Sequence, residues 1–588
     1  MNNTIYTISK FLNTNKDTWL HSLISHVTKV MADAPGDSQI RAWKDCFDVL
    51  QSALRKVSFD PHTYLIFEYV LHRERGRRPD VLLLTGNTVY VLEFKQHGKP
   101  TLAQIDQASA YGRDLKHYHF STHDLEVNTL LILTGAEQYE KIYNNVLILS
   151  RDKLSDHFQD KISEPFIQDI DKWFKGPYEP LPSIVLAAKI FFYNEELPQI
   201  NRASSAGIPK TLKSIETIIN NTNESSPYNL ILITGVPGAG KTLVGLKYVH
   251  SENNKIASFL SGNGPLVNVL QASLNNDKSF VQGLLGFKRT YADLSEAPRE
   301  DVIVFDEAQR AWDHNQMSGA YSEPEVLVRI AENKEHFTIV ALIGEGQEIH
   351  KGEEGGIELW NRAINNFAEK NWKIFGPEKL FNDFSNNYTI VDNFNLTISL
   401  RTHAAKSLQL FINMLMDNNL LGSKSALKLL YDEGYTLYLT RNLELAKSYT
   451  KRRYLDAIEK TFGLISSSQG GYLKVVEKIQ KGFGNEIKYF VNHDCKNFNE
   501  CATEFACQGL ELDFPIVCWD DDLLYQNGTW RDTRPNQAVF DSLQLRINTY
   551  RVLLTRGRDG MIIYLPPHEV FDSTFSLLQD VGLKIRKI

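Results

Sequence analysis

Charged side chains interrupt two apolar runs near the N-terminus of the sequence. In the stretch RRPDVLLLTGNTVYVLEFKQ, Asp80 opens the first run, and Glu93 and Lys95 lie within the second. The intervening TGNT contains the glycine and asparagine that a tight turn needs, so the stretch predicts a β-hairpin. Alternate side chains of a strand share a face, which puts Glu93 and Lys95 together, and the hairpin register can bring Asp80 alongside. Two carboxylates can hold Mg²⁺, and an ammonium group can orient or activate a metal-bound water against a phosphodiester.

A second pattern suited to phosphate chemistry lies further along the chain. The sequence GVPGAGKT fits G-x-x-x-x-G-K-[ST] at every position. Glycines let successive N–H groups converge on phosphate oxygens, and the helix that follows adds its positive end; the glycines are Gly235, Gly238 and Gly240. Lys241 is expected to reach the β/γ-phosphates of ATP, and Thr242 to bind Mg²⁺. The alternative is an accidental glycine-rich turn, but an apolar strand before the loop and an amphipathic helix after it argue against that.

Two carboxylates follow another apolar run. In DVIVFDEAQRAW a buried strand would deliver Asp306 to its end beside Mg²⁺, and Glu307 would polarise the attacking water. Gln347 follows a further strand, where it could sense a γ-phosphate. Arg556 lies between an apolar helical stretch and a strand, from which an arginine can reach across a cleft and stabilise phosphate charge.

The elements that must hold these residues separate into three regions of α/β class. Residues 1–195 alternate helices and strands, residues 196–228 are rich in small and polar types and predict a linker, and residues 229–392 and 393–588 form two further strand–helix regions. The last two are expected to contain mostly parallel sheets.

The motifs of the C-terminal regions resemble those of superfamily 1 helicases. GVPGAGKT, DEAQ, the Gln347 segment, SLRTH, FACQGLELD and YRVLLTRGR occur in the order of motifs I to VI, and the wording is most similar to the bacterial Schlafen group 3 helicases. The resemblance covers about residues 210–570 and implies two RecA-like domains that bind ATP between them and move along a nucleic-acid strand. The glutamine motif that selects adenine in this family is not found upstream of the P-loop. The resemblance therefore predicts the use of ATP more firmly than selection for the adenine base.

Site roles follow from this resemblance. It implies that Gln347 and Arg401 contact the γ-phosphate and that Arg556 is an arginine finger. It also implies that FLSGNGP, residues 259–265, touches the nucleic-acid backbone. Coupling of the ATP site to the strand is implied for three residues, Gln508, Gly509 and Glu511.

The N-terminal hairpin resembles the PD-(D/E)XK nucleases. Asp80 and the Glu93–Lys95 run match the family signature, Glu68 on an apparent helix fits the family's helix glutamate, and Gln107 and Tyr111 fit the Q-x-x-x-Y helix of RecB-like members. The resemblance implies a Mg²⁺ site, which could also take Mn²⁺, and no iron–sulfur cluster. A structural domain whose charges form only a salt bridge stays open as the alternative.

Composition limits the classes of partner. The chain of 588 residues has a net charge of −7, so nucleic acid must bind local basic patches such as His72–Arg78 or Lys451–Arg453. No apolar run long enough for a membrane span or signal peptide is found, and few cysteines predict a cytoplasmic protein. A zinc site could be formed by Cys495, Cys501 and Cys507 with His493. The sequence contains no CxxC pair, however, so these cysteines are expected to be buried and not to bind metal.

Together these patterns predict an ATP-dependent translocase or helicase fused to a Mg²⁺-dependent endo- or exonuclease. DNA is favoured over RNA as substrate, and repair or antiviral defence as the setting. The rival hypothesis is an ATP-gated nucleic-acid sensor that never unwinds, with the N-terminal domain as effector or binding module. A homo-oligomer or a partner protein in defence is left open.

Overall fold

The protein is described by a computed structural model that covers most of its length. Described residues are 4–31, 34–71, 77–178, 183–192, 207–221, 227–236, 238–251, 256–274, 280–311, 321–344, 356–384, 387–397, 404–455, 457, 459–482, 485–535 and 541–585. The chain divides into two compact units. One contains Met1–Pro180 together with Lys447–Lys460, and the other contains Leu181–Ala446 and Thr461–Ile588.

The first unit is built on a mixed sheet with the strand order β1-β2-β3-β4-β5-β7-β6. Its strands are β1 Ile5–Thr7, β2 Tyr64–Phe67, β3 Val81–Thr85, β4 Thr88–Lys95, β5 Glu126–Leu133, β6 Glu140–Tyr143 and β7 Val146–Ser150. Strands β3 and β4 form the predicted hairpin, with Thr85 paired to Thr88 across a two-residue turn. The hairpin prediction is confirmed.

Helices cover both faces of this sheet, and the central strands are therefore buried on both sides. The helices are α1 Ile8–Leu12, α2 Lys16–Met31, α3 Asp37–Leu54, α4 Leu102–Tyr118, α5 Leu154–Phe158 and α6 Ile170–Phe174. On one face, aromatic side chains of α1, α2 and α3 pack around Phe67. On the other face, Tyr111 and Leu115 of α4 pack against Leu82 and Val91 of the hairpin.

The second unit contains two parallel sheets. The strands of the first are β8 Tyr228–Gly235, β9 Ala257–Ser261, β10 Val281–Gly283, β11 Val302–Asp306, β12 Phe337–Gly344, β13 Trp372–Gly376, β14 Tyr388–Ile390 and β15 Asn395–Leu396. Their order is β10-β9-β11-β12-β8-β13-β14, and β15 also pairs with β8. This sheet thus extends past residue 392, where the sequence suggests a boundary. The accompanying helices are α7 Ile184–Phe192, α8 Ile208–Asn220, α9 Lys241–His250, α10 Gly264–Ser273, α11 Leu284–Tyr291, α12 Glu323–Glu332 and α13 Gly356–Arg362.

The other parallel sheet has the order β18-β19-β17-β20-β23-β16-β24. Its strands are β16 Thr436–Thr440, β17 Phe462–Ser466, β18 Gln480–Gly482, β19 Glu500–Thr503, β20 Phe514–Cys518, β23 Gly560–Tyr564 and β24 Lys584–Ile585, and the hairpin β21 Leu523–Gln526 and β22 Thr529–Asp532 lies apart. Its helices are α14 Ala405–Met416, α15 Leu420–Asp432, α16 Leu443–Arg453, α17 Tyr472–Val475, α18 Glu504–Cys507, α19 Ser542–Leu554 and α20 Asp572–Val581. The prediction of parallel sheets is confirmed by the strand pairing in both.

One predicted linker is partly wrong. Within residues 196–228 the structure contains helix α8, whose apolar side chains are buried in the core of the second unit. Ile208, Leu212, Ile215 and Ile219 follow helical spacing, which places them on one face. The polar segments on either side outweighed this pattern in the sequence.

None of the described helices is both long enough and apolar enough to cross a membrane.

Candidate active sites

The P-loop joins the end of β8 to the start of α9. Gly238 and Gly240 have φ values of 76° and 88°, in the left-handed region where a side chain would be strained. A Cβ atom on Gly235 would lie 2.8 Å from the carbonyl oxygen of Leu396, so β15 also packs closely against this loop. Pro237 lies outside the described residues. The motif therefore has the turn and helix N-terminus that a phosphate site needs.

Lys241 and Thr242 begin α9 and point back to the strand ends. The Lys241 ammonium group donates hydrogen bonds to the carbonyl oxygens of Gly235 at 2.8 Å and Val236 at 3.4 Å. The Thr242 hydroxyl donates to Asp306, whose two carboxylate oxygens both lie 3.3 Å away. The structure thus brings together the hydroxyl and carboxylate that the sequence assigns to Mg²⁺.

Asp306 and Glu307 lie at the end of β11, two strands from the P-loop strand. Burial, and next the charge of Glu307, raise the pKa of Asp306 to about 7. Glu307 has a φ of 55°, an uncommon conformation for a residue other than glycine. A bound cation would favour the charged form of Asp306 and relieve this unfavourable burial.

Gln309 is a site residue for which the sequence predicts no role. Its amide nitrogen donates a hydrogen bond to Glu307, and its amide oxygen accepts one from the backbone N–H of Gly344 at 2.7 Å. A Cβ atom on Gly344 would lie 3.1 Å from the Glu307 carboxylate, so the two strand ends fit closely here. The signal was present in the sequence as the fourth letter of DEAQ.

Two further predicted ATP contacts, Gln347 and Arg401, lie outside the described residues. Arg556 is described and is only 1% exposed. Its guanidinium group donates to the carbonyl oxygens of Val552, Cys507 and Leu510. In this structure it ties α19 to the loop after α18 and does not extend into solvent as a reaching finger would.

The predicted coupling segment contacts the segment predicted to touch nucleic acid. The Asn263 amide donates to the carbonyl oxygen of Gln508 at 2.7 Å. Gly509 has a φ of 73°, and a Cβ atom there would lie 3.0 Å from Leu266. Glu511 lies 3.5 Å from the guanidinium group of Arg558. The loop after α18 is therefore held against the start of α10.

Asp80 and Glu93 face each other at the open end of the N-terminal hairpin. The backbone N–H of Asp80 donates to the Glu93 carboxylate at 3.1 Å, and the N–H of Phe94 donates to the Asp80 carboxylate at 2.7 Å. Lys95 forms an ion pair with Glu93 at 3.3 Å. The three side chains predicted to form a metal and hydrolysis site thus lie together.

The charges of this cluster are strongly perturbed. Burial and the neighbouring Asp80 raise the pKa of Glu93 to about 8. Burial alone would lower the pKa of Lys95, but Glu93 and Asp80 raise it, so the lysine stays protonated. Among the described residues, no group of three or more histidine, cysteine, aspartate or glutamate side chains is arranged to hold a metal ion. The donor set is therefore the Asp80–Glu93 pair, whose oxygen ligands and mutual repulsion suit a hard cation such as Mg²⁺.

The prediction that Glu68 lies on a helix is wrong. It directly follows β2, which pairs with β1 and β3, and its φ is 50°. The indole N–H of Trp43 donates to its carboxylate at 2.6 Å, and Arg78 forms an ion pair with it. Burial first of all raises the pKa of Glu68 to about 7. The apolar run before Glu68 forms strand β2, so the hydrogen-bonding groups of its backbone are paired in the sheet. The side chains of this strand are buried on both faces of the sheet.

Gln107 and Tyr111 lie on α4 as predicted, and the Gln107 amide donates to the Tyr111 hydroxyl at 3.3 Å. Both line a cleft of about 430 Å³. The cleft is also lined by Trp19, Trp43, Glu68, Arg78, Asp80, Glu93 and Lys95. The residues that carry the nuclease resemblance therefore share one cavity.

Both proposed basic patches contain internal ion pairs or buried side chains. Arg77 pairs with Asp114 at 2.7 Å, and Arg78 pairs with Glu68. Arg453 is 4% exposed and donates to the Tyr449 hydroxyl. Arg77 and Arg453 are therefore not the solvent-facing phosphate contacts that the sequence suggested, whereas Arg78 lines the carboxylate cleft while it is paired with Glu68. Residues 72–76 lie outside the described residues.

All five cysteines are buried and unbonded to one another, as expected for this sequence. Burial raises the pKa of the Cys495 and Cys507 thiols to about 12, which keeps both protonated.

Comparison with known proteins agrees with the C-terminal motifs. A family model described as the Schlafen group 3 DNA/RNA helicase domain matches residues 228–567, more than half of the chain. The chain belongs to this family. The match runs from β8 to just beyond β23, so the family region contains the P-loop, the first parallel sheet and every strand of the second except β24. Residues 1–227, with the carboxylate cleft, lie outside it.

Solved helicase structures give distant matches. The Pif1 helicase from Bacteroides, solved with ADP-AlF3 and ssDNA, is 10% identical over 63% of this chain and 97% of its own, with a TM-score of 0.31. The Hef helicase domain of Pyrococcus furiosus is 13% identical over 61% and 96%, with a TM-score of 0.23. Arterivirus nonstructural protein 10, a helicase solved with DNA, is 12% identical over 61% and 64%, with a TM-score of 0.27. No curated protein sequence matches the chain.

Proposed function

We propose that the chain is an ATP-dependent nucleic-acid translocase or helicase fused to a metal-dependent nuclease. Family membership supports the helicase part. The observation that carries the second part is the joint placement of Asp80, Glu93 and Lys95 in one cleft of the N-terminal unit. A motor that moves along a strand would supply the phosphodiester substrate that such a cleft could cut.

In the helicase part, Lys241 and the P-loop N–H groups would bind the ATP phosphates, with Thr242 and Asp306 as ligands of Mg²⁺. Glu307 would hold the attacking water, and Gln309 fixes its carboxylate against Gly344. Gln347, Arg401 and Arg556 keep their proposed γ-phosphate roles by motif position. For Arg556 this role requires release from the carbonyl oxygens that bind it now.

In the N-terminal cleft, Asp80 and Glu93 would hold Mg²⁺ or Mn²⁺. When bound, such an ion polarises a phosphodiester and lowers the pKa of a bound water. Lys95 stays protonated and would stabilise negative charge that develops on the phosphate. Gln107 and Tyr111 line the same cleft and would orient the strand. DNA is the proposed substrate, and antiviral defence or repair the proposed setting.

One observation favours a second candidate function. The Glu68 carboxylate is already bound by Trp43 and Arg78, and Glu93 is paired with Lys95. These contacts also suit a domain that binds nucleic acid without cutting it. The alternative is therefore an ATP-gated sensor whose N-terminal unit is an effector or binding module.

A nuclease panel with and without ATP separates these functions. Single- and double-stranded DNA and RNA are incubated with the protein and Mg²⁺ or Mn²⁺. We expect Asp80→Asn and Lys95→Ala to abolish cleavage while ATP hydrolysis continues. Lys99→Ala, which changes an exposed lysine nearby, is the matched control and should cleave normally. If the wild-type protein cuts no substrate under any of these conditions, the nuclease proposal is wrong.

The motor is tested on the P-loop. Lys241→Ala should abolish ATP hydrolysis, whereas Lys247→Ala on the same helix should retain it. A strand-displacement assay then distinguishes a helicase from a sensor. Hydrolysis that nucleic acid stimulates, without displacement of any duplex in either polarity, would favour the sensor.

A further inference from the structure

A short part of the helicase region belongs to the N-terminal unit. The chain leaves β16 at Thr440, forms helix α16, and returns as β17 at Phe462. Residues Lys447–Lys460 of this crossover belong to the unit that contains the carboxylate cleft. We name them the connecting arm. Helix α16 is continuous from Leu443 to Arg453. Its residues up to Ala446 belong to the second unit, and its residues from Lys447 belong to the first.

A buried hydrogen-bond relay joins the connecting arm to helix α4. The Arg453 guanidinium group donates to the Tyr449 hydroxyl at 3.0 Å, and this hydroxyl donates to the Asp106 carboxylate at 2.6 Å. All three residues are at most 8% exposed. Asp106 also accepts a hydrogen bond from Asn144 at 3.4 Å. Burial raises the pKa of Tyr449, which keeps its proton available for this bond.

The packing of the arm extends the contact along α4. Arg453, Tyr454 and Ala457 of the arm line a small cavity with Arg77, Gln107, Ala110 and Tyr111. Gln107 and Tyr111 also line the carboxylate cleft. Arg77 lies over the Tyr111 ring at 5.1 Å, so the arm meets side chains that are themselves packed on cleft residues.

A movement of α4 would therefore change the cleft. Asp106, which the arm holds, directly precedes Gln107 in the helix, and Tyr111 lies one turn further on. A helix moves as a rigid element, so a pull on Asp106 shifts both cleft residues. A displacement of about 1 Å in a catalytic constellation can change a rate by roughly a hundredfold.

We propose that the connecting arm transmits the nucleotide state of the helicase region to the carboxylate cleft, with Tyr449 and Arg453 as positioning residues for α4. This inference rests on the proposed function of both sites. ATP binding would shift β16 and the start of α16, and the relay to Asp106 would carry the shift to Gln107 and Tyr111. The cleft would then be competent for cleavage in only one nucleotide state.

Hydrogen exchange of the full-length protein tests the route itself. Backbone exchange of α4, residues 102–118, is measured without nucleotide and with ADP plus aluminium fluoride. We expect a nucleotide-dependent change in the wild-type protein, and its loss in Tyr449→Phe and Arg453→Gln. Arg452→Gln, which alters an exposed arginine one position away, is the matched control and should keep the change. No response of α4 in the wild type, or an equal response in both arm variants, overturns the proposal.

Cleavage assays give a second readout. Both arm variants should lose ATP dependence of cleavage by about tenfold or more, with ATP hydrolysis at the wild-type rate. Arg453→Lys keeps the positive charge and a hydrogen-bond donor and should restore part of the ATP dependence. If Arg453→Gln does not fold, Tyr449→Phe and Arg453→Lys test the proposal instead. If the wild type cuts nothing, the nuclease proposal fails, but the exchange measurement still decides whether the arm couples nucleotide to α4.

Discussion

At the residue scale, Glu93 combines two demands that oppose each other. Its carboxylate is 2% exposed and lies beside Asp80, so the charged form is costly without a cation. Lys95 supplies one positive charge at 3.3 Å, yet the pKa of Glu93 remains raised to about 8. A cleft that holds an acidic proton in this way is prepared to exchange it for a metal ion.

This exchange predicts a pH dependence. The folded-state pKa of Glu93, about 8, exceeds its ordinary value of 4.5, so the folded protein binds this proton more tightly than the unfolded chain. Without metal, the contribution of Glu93 to stability is present below about pH 4.5 and is lost as pH rises through about 8. Mg²⁺ must displace the proton, so below pH 8 its affinity should fall by about tenfold per pH unit.

Thermal melting with and without Mg²⁺ measures this effect. The Mg²⁺-induced rise in Tm should be larger at about pH 8.5 than at about pH 6. In Glu93→Gln the rise should shrink at both pH values, because the proton and one ligand are both gone. An equal rise in the wild type at the two pH values would show that Glu93 does not bind the ion.

Gln309 gives a prediction at the ATP site. Gln309→Ala removes the hydrogen bonds that connect the Glu307 carboxylate to the end of β12. No side chain then holds this carboxylate in place through Gly344, although the backbone of Glu307 keeps its uncommon conformation. We expect kcat for ATP hydrolysis to fall by up to about a hundredfold while nucleotide binding changes little. Steady-state ATPase assays with a nucleotide-binding titration check this. Gln409→Ala, on α14, is the control; a normal kcat in Gln309→Ala would contradict the positioning role.

At the scale of elements, the sequence was most informative where a strand is buried on both faces. The uninterrupted apolar runs of β8 and β11 admit little but a central parallel strand, and the sequence predicts both. The P-loop between β8 and α9 was equally clear, because its glycines have a conformation that few other residues adopt.

Local sequence patterns do not decide the structure where pairing between distant segments determines it. The apolar run before Glu68 is compatible with a helix or a strand. It forms a strand because it pairs with β1 and β3, which lie far from it in the sequence or follow it. Helix α8 has a clear apolar face, but its polar flanks predicted a linker. The patch His72–Arg78 predicts exposed phosphate contacts because the sequence does not show that Arg77 is buried against Asp114.

At the scale of the whole molecule, the order of the chain and the order of its folded units differ. The N-terminal unit is completed by residues more than 260 positions further along, between two strands of the helicase region. No local pattern in Lys447–Lys460 indicates this, since its basic residues and two tyrosines suit an exposed helix as well. The relay from Arg453 to Asp106 shows that Tyr449 and Arg453 of the arm are buried within the N-terminal unit.

A fragment that ends at residue 180 should therefore be less stable than the same fragment joined to the connecting arm. Without the arm, Asp106 loses a buried hydrogen bond from Tyr449, and hydrogen bonds to charged groups are worth about 1.5–3 kcal/mol each. For a unit of this size that corresponds to a fall in Tm of roughly 3–12 °C.

The test compares fragment 1–180 with the same fragment carrying residues 447–460 on a flexible glycine–serine linker. The linked form should melt at the higher temperature, and Tyr449→Phe in the linked arm should remove much of the gain. A linked arm in which the order of the lysine, arginine and tyrosine residues is scrambled is the control for added charge. Equal melting temperatures for the linked and unlinked fragments would mean that the arm only lies against the N-terminal unit and does not stabilise it. A gain that depends on the Tyr449 hydroxyl would show that the unit holding the carboxylate cleft is completed by the helicase region, which is the condition for any signal to pass between them.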